Sequence, residues 1–559
     1  MPESLLIANR GEIAVRIART AGDLGVKTVA VYAEDDAGSL HTREADQAVG
    51  LGATGMPAYL DGTAIISAAR AAGCDAVHPG YGFLSESAAF AAACEQAGLT
   101  FVGPSPETLE TFGDKAAARA LAERCGVPLM AGTSAAVTLE EARDFLAALG
   151  PGGAVMLKAV AGGGGRGMRP VTSPADLDQA FARASSEARG AFGSGELYVE
   201  ELMTRARHVE VQIVGDGTGA VAHLWDRECS LQRQRQKLIE IAPAFALPGA
   251  VRAAMLQAAV TLGAAVRYRG VGTVEFLVDA RPGVAPRFAF IEANARLQVE
   301  HTVTETVLGC DLVAVQLKIA DGADLAGLGL TQDSVPAPRG VAVQARVNLE
   351  VMTADGSARP SGGVLSAYDQ PSGPGVRVDG FGYAGYATSP SYDPLLAKVI
   401  VAADDLAAAT VRARRALSEF KIEGARTNIA FLQALLKSPA LAAGELHTRY
   451  VEEHAAQLLR EAEERVRYFE PAGTRQRRAG TRVDPLDPLA VLDLRPGAGP
   501  GRELPSRSVQ DQVLPGRGAR GCDQQAADRA LSRRRPADVH LRHRAPDGHG
   551  RQSARDRPA

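Results

Sequence analysis

Residues 158–168 read KAVAGGGGRGM, an apolar run that carries a lysine and leads into four adjacent glycines. Glycines let backbone N–H groups approach a polyanion closely, and Lys158 in front of them can neutralise a phosphate. No Gly-Lys-Ser/Thr follows, so the stretch is not a Walker A loop. It predicts a phosphate-binding glycine loop of another kind, and the alternative is a flexible hairpin tip.

A second stretch, residues 292–300, reads EANARLQVE and alternates strictly between polar and apolar positions. If extended, it places five polar side chains on one face over roughly 26 Å, at about 3.3 Å per residue. That length suits a metal at one end and a reacting anion further along. The alternative is an exposed strand face with solvated charges, although the apolar FAFI run in front of it favours burial.

The segments GTVEFLVDA and RFAFIEANA predict two antiparallel strands joined around Gly283 and Val284. Opposed residues then have numbers that sum to about 567, which places Glu275 opposite Glu292. Two facing carboxylates repel unless a cation lies between them, and hard oxygen ligands suit Mg²⁺ that bridges nucleotide phosphates. A chance surface pair is the alternative.

Basic residues concentrate in the segments RHVEVQIV and RECSLQRQRQK, and Lys115 stands at a predicted helix start. In a chain of net charge -4, a cluster of His208, Arg233, Arg235 and Lys237 near a glycine loop indicates phosphate handling. A solvated charged face is the alternative.

Around these stretches the chain has three kinds of pattern. Residues 4 to about 110 alternate short apolar runs with amphipathic stretches, which predicts a parallel sheet covered by helices, with NRGE, HPGYGFLSE and VGPSP at the ligand-binding strand ends. From about 111 to 330 the glycine loop and the long strands dominate. Residues 338 to about 450 mix strands with an amphipathic helix and predict a further small domain.

Composition excludes several classes of protein. The acidic net charge argues against a nucleic-acid surface, and no apolar run reaches the length of a membrane span. The N-terminus lacks the pattern of a signal peptide. Six scattered cysteines without a CxxC pair suggest neither a zinc site nor a disulfide framework, so a reducing cytoplasm is expected.

Taken together, these motifs resemble the biotin carboxylase family over about residues 3 to 455. IANRGEIAVRI, HPGYGFLSE, GDK, KAVAGGGGRGM, RHVEVQI and EANARLQVEHTVTE occur in the family's order and at its spacing. EIAP and QVEHTVTE look more like the multidomain acyl-CoA or pyruvate carboxylase branch than the free-standing bacterial subunit.

The resemblance implies an α/β chain with an ATP-grasp fold. It implies a Rossmann-like N-terminal domain over residues 1–112 and an ATP-grasp domain over 113–330, with a glycine-rich lid at about 130–203. A biotin carboxylase C-terminal domain would span 335–450. Composition, not the resemblance, predicts a linker and a disordered tail over the remaining residues, 451–559.

The resemblance also implies roles for individual residues. ATP would be held by Lys115, Lys158, Gly162, Gly163, Gly164, Gly165, Gly167, Glu200, His208 and Gln232. Mg²⁺ or Mn²⁺ would be held by Glu275, Glu292 and Asn294. Bicarbonate would be bound by Lys237, Arg296, Gln298 and the amide of Val299. Glu300 would deprotonate bicarbonate to form carboxyphosphate, and Arg346 would stabilise the biotin enolate.

Two departures from the family pattern bear on function. Arg235 stands where the family usually has a histidine near the nucleotide, which puts ATP binding in question at that point. No Met-Lys-Met biotin-attachment motif occurs, so the biotin carrier is either a separate protein or a domain missing from this chain. The expected partners are that biotin carrier protein or domain and a carboxyltransferase. The family often forms homodimers.

Two other readings of the sequence stay open at this stage. One is an ATP-grasp carboxy-ligase that acts on a small nitrogen acceptor, and the other is a catalytically dead assembly or nucleotide-binding subunit. The chain after Lys437 has no lysine, and from about residue 495 it is rich in arginine, glycine and proline. That tail is interpreted as the product of a frameshift or as a natural basic linker.

Overall fold

The computed structural model describes residues 1–133, 135–150, 152–160 and 168–462. The glycine loop, including Gly162, Gly163, Gly164, Gly165 and Gly167, lies outside the described residues, as does the tail after residue 462. Among the described residues, no helix combines the length and the apolar character that crossing a membrane requires.

The first segment is a five-stranded parallel sheet in the order β3-β2-β1-β4-β5. Its central strands β1, β2 and β4 are largely buried on both faces, as a helix-covered parallel sheet requires. The parallel arrangement predicted from the βα alternation is confirmed. Its elements are β1 Ser4–Ile7, α1 Gly11–Asp23, β2 Lys27–Tyr32, α2 His41–Glu44, β3 Gln47–Gly50, α3 Met56–Leu60, α4 Gly62–Ala71, β4 Ala76–His78, α5 Ala88–Gln96, β5 Thr100–Phe101 and α6 Pro106–Gly113.

The second segment begins with two helices and a small three-stranded antiparallel sheet in the order β7-β6-β8. This sheet packs against α8 and α9 around its own core, which includes Leu157, Val171, Ala184 and Val199. The flanks of the predicted lid therefore form a small unit with a separate core. The elements are α7 Lys115–Arg124, α8 Leu139–Ala148, β6 Val155–Ala159, β7 Met168–Val171, α9 Leu177–Phe192 and β8 Leu197–Glu201.

The rest of the second segment contains the long strands of the largest sheet. Its elements are β9 Ala206–Asp216, β10 Val221–Arg233, β11 Gln236–Ala242, α10 Gly249–Ala265, β12 Arg269–Asp279, β13 Phe288–Asn294, α11 His301–Leu308 and α12 Leu312–Ala320. Strands β12 and β13 pair with Thr273, Val274 and Glu275 opposite Asn294, Ala293 and Glu292. The predicted register is confirmed at these positions, and it shifts by one after Glu275.

The third segment continues the same sheet, because β11 pairs with β14 and β14 pairs with β19. The resulting antiparallel sheet has eight strands in the order β13-β12-β9-β10-β11-β14-β19-β18. Helices α13, α14 and α16 contribute to a core against its far end. The elements are β14 Val341–Asn348, β15 Glu350–Met352, β16 Ala358–Pro360, β17 Ala367–Asp369, β18 Val376–Gly380, β19 Leu395–Ala403, α13 Leu406–Glu419, β20 Lys421–Glu423, α14 Ile429–Lys437, α15 Pro439–Ala443 and α16 Tyr450–Glu461.

Candidate active site

Three strands of the eight-stranded sheet, β9, β11 and β12, and the turn before α11 bring charged side chains together around Lys237 at the start of β11. Its Nζ lies 2.6 Å from Glu210 Oε2, 2.6 Å from Glu300 Oε1 and 3.1 Å from Glu275 Oε1. We call these four residues the central lysine cluster. Burial lowers the pKa of Lys237, but the three carboxylates outweigh burial and raise its pKa well above the usual value.

Glu300 is shared between two cations. Its Oε2 accepts a hydrogen bond of 3.0 Å from Arg346 Nη2, while its other oxygen contacts Lys237. Burial raises the pKa of Glu300, but Lys237, Arg346 and Arg227 together bring it well below the usual range. The carboxylate is therefore ionised, which a proton acceptor must be.

The predicted extended face from Glu292 to Glu300 is wrong. Strand β13 ends at Asn294, and Glu300 is already the residue before helix α11. The turn brings Gln298 back, so that its Nε2 donates to Asn294 Oδ1 at 2.5 Å and to Glu275 Oε1 at 2.8 Å. Folding back buries the polar side chains in a compact group, whereas a straight strand would separate them.

The candidate metal residues form an oxygen-rich edge on β12 and β13. Glu275 and Glu292 are opposed as predicted, but each already lies beside a basic side chain. His208 Nε2 lies 2.9 Å from Glu275 Oε2, and Lys115 Nζ lies 3.6 Å from Glu292 Oε2. Lys237 and His208 oppose the burial penalty and hold the pKa of Glu275 well below its usual value. Ionised carboxylates and an amide oxygen fit Mg²⁺ chemically.

Two other groups of possible metal ligands occur among the described residues, and both include Glu210. They are His208–Glu210–Glu275 and Glu210–Cys229–Glu300. The ammonium group of Lys237 contacts a carboxylate in each group. These groups are therefore satisfied by a fixed protein cation, and the metal candidates remain Glu275, Glu292 and Asn294.

The candidate nucleotide residues fall into two groups. Lys158 on β6 contacts the carboxylate of Glu200 on β8, and Arg119 Nη1 lies 3.1 Å from the same side chain. In the large sheet, Gln232 Nε2 lies 3.4 Å from His208 Nδ1. Lys115, the first residue of α7, is 83% exposed at its side chain and so remains available to a ligand.

Arg296 and Val299 are held by Glu86 and Lys398, neither of which was a candidate site residue. Arg296 Nε lies 2.9 Å from Glu86 Oε2, the last residue of HPGYGFLSE. Burial lowers the pKa of Arg296, but Glu86 more than compensates and raises it. The carbonyl of Val299 accepts a 3.1 Å hydrogen bond from the buried ammonium of Lys398. The guanidinium group of Arg296, a candidate for binding bicarbonate, is thus paired with a carboxylate of the protein.

The predicted grouping of Arg233 and Arg235 with Lys237 and His208 is wrong. Arg233 Nη1 lies 2.9 Å from Glu350 Oε1, away from the cluster. Arg235 is exposed at the tight turn between β10 and β11, where its φ is 71°. Its Nη2 lies 3.7 Å from the sulfur of Met168, the first described residue after the glycine loop. Strand alternation and the turn explain why neighbours in sequence diverge.

Two other functional candidates, Glu240 and Arg227, lie in motifs that the sequence offered but received no role there. Arg346 Nε is 2.5 Å from Glu240 Oε1, and Gln344 Nε2 donates to the other oxygen of Glu240 at 3.0 Å. Burial raises the pKa of Glu240, with Arg346 opposing it. The signal that could have found Glu240 is the EIAP motif. Arg227, inside RECSLQ, is fully buried beside the same cluster.

Comparisons with known proteins cover most of the chain. Three family models match: biotin carboxylase N-terminal domain over residues 1–109, carbamoyl-phosphate synthase L chain ATP-binding domain over 114–328, and biotin carboxylase C-terminal domain over 344–453. Pyruvate carboxylase of Aspergillus niger is 46% identical over 458 residues, which is 81% of this chain and 38% of that protein. Human mitochondrial pyruvate carboxylase is 45% identical over 457 residues, with the same two shares.

Solved structures of similar domains match almost end to end. The biotin carboxylase domain of a single-chain bacterial carboxylase is 51% identical with a TM-score of 0.72, covering 82% of this chain and 99% of that one. The biotin carboxylase domain dimer of Hydrogenobacter thermophilus 2-oxoglutarate carboxylase, in complex with MgADP, ADP and bicarbonate, is 37% identical with a TM-score of 0.73. The match covers 84% of this chain and 100% of that domain. The chain thus spans 38% of the length of the curated relatives but the whole length of these domains.

Proposed function

The chain belongs to the biotin carboxylase family of ligases, and from this premise we propose how its described residues carboxylate biotin with ATP and bicarbonate. The observation that carries the proposal is Glu300, an ionised and buried carboxylate held between Lys237 and Arg346. A proton acceptor between two fixed cations suits a reaction between an anion and a phosphate.

Bicarbonate would be bound by Lys237, Arg296, Gln298 and the amide of Val299. Planar guanidinium and amide donors match the planar anion, and the lysine adds a point charge. Arg296 is paired with Glu86 in the structure, so bicarbonate would share or replace that partner. The 2-oxoglutarate carboxylase domain solved with bicarbonate supports an anion site in this fold.

Glu300 would take the proton of bicarbonate. A carboxylate with a depressed pKa is a weak base, but bound bicarbonate would draw Lys237 away from Glu300. Losing part of that attraction raises the pKa of Glu300 and makes proton transfer more favourable. The deprotonated oxygen would then attack the γ-phosphorus of ATP, forming carboxyphosphate and releasing ADP.

Carboxyphosphate would break down to CO₂ and phosphate beside biotin. The released phosphate would take the ureido N–H proton, and the biotin nitrogen would attack CO₂. Arg346 would stabilise the negative charge that develops on the ureido oxygen. Glu240 and Glu300 contact Arg346 on separate nitrogens and so fix the plane of its guanidinium group.

ATP would be held by Lys115, Lys158, Glu200, His208, Gln232 and the glycine loop. Glu275, Glu292 and Asn294 would hold Mg²⁺ or Mn²⁺, which neutralises phosphate charge when bound. The side chain of Glu292 is 38% exposed, so it can reach a ligand in the cleft. The MgADP complex of the Hydrogenobacter thermophilus domain supports this assignment.

The final acceptor would be chosen by a carboxyltransferase, which would take the carboxyl group from biotin on a carrier protein or domain. The similar proteins include carboxylases of pyruvate, 2-oxoglutarate and long-chain acyl-CoA, so one type of biotin carboxylase domain serves different acceptors. We also propose a homodimer, as in the 2-oxoglutarate carboxylase domain. The five cysteines of the described residues are free, which supports a reducing, cytoplasmic setting.

The test is ATP hydrolysis measured with bicarbonate and biotin added separately and together. We expect turnover to require both, which separates biotin carboxylation from ligation to another nitrogen acceptor and from a catalytically dead subunit. Glu300→Gln should lower the rate by about 10²–10⁴-fold. Glu305→Gln, in α11 but paired with Arg16 and Arg377, is the matched control. Turnover that is independent of biotin would contradict the proposal.

A further inference from the structure

Arg227 is a permanently charged side chain with no solvent exposure, placed at the centre of the described site. Its Nε donates to Glu210 Oε1 at 2.5 Å. Nη1 donates to Gln212 Oε1 at 2.7 Å and to Thr304 Oγ1 at 2.9 Å. Nη2 donates to Thr273 Oγ1 at 3.0 Å and to Gln298 Oε1 at 2.8 Å. These five contacts use all five N–H donors of the guanidinium group.

This saturation determines how Gln298 is oriented. A guanidinium group can only donate, so the amide oxygen of Gln298 must face Arg227. The NH₂ group must then face the other way, where it donates to Glu275 and Asn294. The acceptors of Arg227 come from β9, β12, α11 and the turn before α11, so the orientation is fixed by several elements at once.

The same guanidinium group also fixes one carboxylate of the central lysine cluster. Glu210 accepts from Arg227 through Oε1 and contacts Lys237 through Oε2. Arg227 therefore touches both the residue that holds Lys237 and the amide beside the metal candidates. Glu210 is fully buried, so this arrangement persists without help from water.

We propose that Arg227 is a positioning residue that preorganises the bicarbonate site by fixing the side-chain amide of Gln298. The inference rests on the proposed role of Gln298 in binding bicarbonate. Lysine cannot replace Arg227 in this role, because a single ammonium group offers three donors without the planar fork of the guanidinium group. A correctly oriented amide before binding lowers the cost of ordering the site around the anion.

The experiment measures steady-state kinetics of the full-length chain with ATP, free biotin and varied bicarbonate. Arg227→Lys should raise the KM for bicarbonate by about tenfold, equivalent to about 1.4 kcal/mol, and change the KM for ATP by less than about twofold. Arg16→Lys is the matched control, since Arg16 on α1 is also largely buried and pairs with Glu305 and Asp311, which have no proposed part in the reaction. It should leave the KM for bicarbonate unchanged.

A double-mutant cycle tests whether Arg227 acts through Gln298. Gln298→Ala alone should raise the KM for bicarbonate, and adding Arg227→Lys should then cause little further increase. Additive effects would overturn the inference while leaving the proposed role of Gln298 intact. An unchanged KM for bicarbonate in Gln298→Ala would instead refute that role, and the inference with it.

A milder variant serves if Arg227→Lys does not accumulate as folded protein. Thr273→Val is nearly isosteric and removes one acceptor of Arg227 Nη2, the nitrogen that also contacts Gln298. We expect a rise of roughly twofold to threefold in the KM for bicarbonate, since one hydrogen bond to a charged donor is lost. No rise in folded Thr273→Val protein would overturn the inference.

Discussion

Glu300 contacts one cation on each of two different strands, and each cation faces a different part of the proposed reaction. Lys237 belongs to the cluster with Glu210 and Glu275, whereas Arg346 is held by Glu240 on the neighbouring strand. Removing one cation should therefore affect one half of the chemistry more than the other. This separation makes the roles of single residues measurable.

With bicarbonate and biotin both present, Arg346→Ala should abolish most biotin carboxylation and reduce ATP cleavage less, because carboxyphosphate would still form and break down. Loss of a donor that stabilises a developing negative charge costs about 10²–10³-fold in rate. Both rates are measured on the same preparation, and the Tm checks folding because Glu240 loses its partner. Arg377→Ala is the control, since Arg377 pairs with Asp379 and Glu305. Equal losses in both rates would place Arg346 with the nucleotide.

His41 should make the protein less stable as the pH falls below about 6.5. It is buried, and burial, with some help from Arg10 and against Asp36, lowers the pKa of its imidazole to about 4. Between these values the unfolded chain binds a proton that the folded chain does not, so stability is lost as pH falls. The loss on reaching pH 4 is on the order of 3 kcal/mol.

His41→Gln should reduce this loss, because glutamine keeps a donor for the carbonyl of Val31 but does not titrate. The measurement is the Tm at pH 7 minus the Tm at pH 5, compared with the wild type. His454→Gln, at a half-buried position in α16, is the control. If the Tm falls by the same amount between pH 7 and pH 5 in His41→Gln and in the wild type, the neutral buried imidazole is not the cause of the loss of stability.

Among the elements, helix α7 determines where Lys115 stands. The preceding Asp114 accepts hydrogen bonds from Ala116 N at 2.8 Å and Ala117 N at 3.2 Å, which satisfies two free donors of the first turn. Lys115 follows directly and extends toward Glu292 on β13. The cap therefore links helix stability to the position of a proposed ATP ligand.

Asp114→Ala should lower stability by about 1 kcal/mol and raise the KM for ATP by roughly threefold or more. Asp61→Ala is a matched control, because Asp61 caps α4 through Ala64 N at 3.0 Å, far along the chain from the proposed site. Asp61→Ala should lower the Tm by a similar amount and leave the KM for ATP unchanged. Equal changes in KM for both variants would show that general destabilisation is responsible.

Across the whole described molecule, Lys398 joins the first and third segments to the active-site turn. Its fully buried Nζ lies 3.0 Å from Glu12 Oε2 on α1 and donates to Val299 O at 3.1 Å. Lys398→Met should cost about 3–5 kcal/mol, because Glu12 would stay buried without its cation. Adding Glu12→Gln should restore part of the Tm. A double variant no more stable than the single one would contradict this account.

The tail gives a second prediction at this scale. Residues after about 495 lie outside the described residues, and we expect them to be dispensable because the segment has no apolar periodicity and few large apolar residues. Truncation after residue 490 should preserve activity with free biotin. The purified chain should give no streptavidin signal, because no lysine follows Lys437. A biotinylated chain or an inactive truncation would contradict the prediction.

The sequence by itself determined the parallel sheet, the register of β12 against β13 and the family. These features depend on local periodicity and on motifs whose residues are close along the chain, such as the alternation that places Glu275 opposite Glu292. It also supplied Lys237, Glu300 and Arg346 as candidates, because the family motifs carry them. The roles of these residues stay predictions.

Only the tertiary structure decided which side chains meet. Strand β13 stops at Asn294, so Gln298 folds back onto Glu275, and Arg296 reaches Glu86 about two hundred residues earlier in the chain. Burial then makes unpaired charges costly, so Arg227, Glu240 and Lys398 each take partners from other strands or helices of the fold. Such pairings depend on where strands end and which strands are neighbours, and local periodicity carries no information about either.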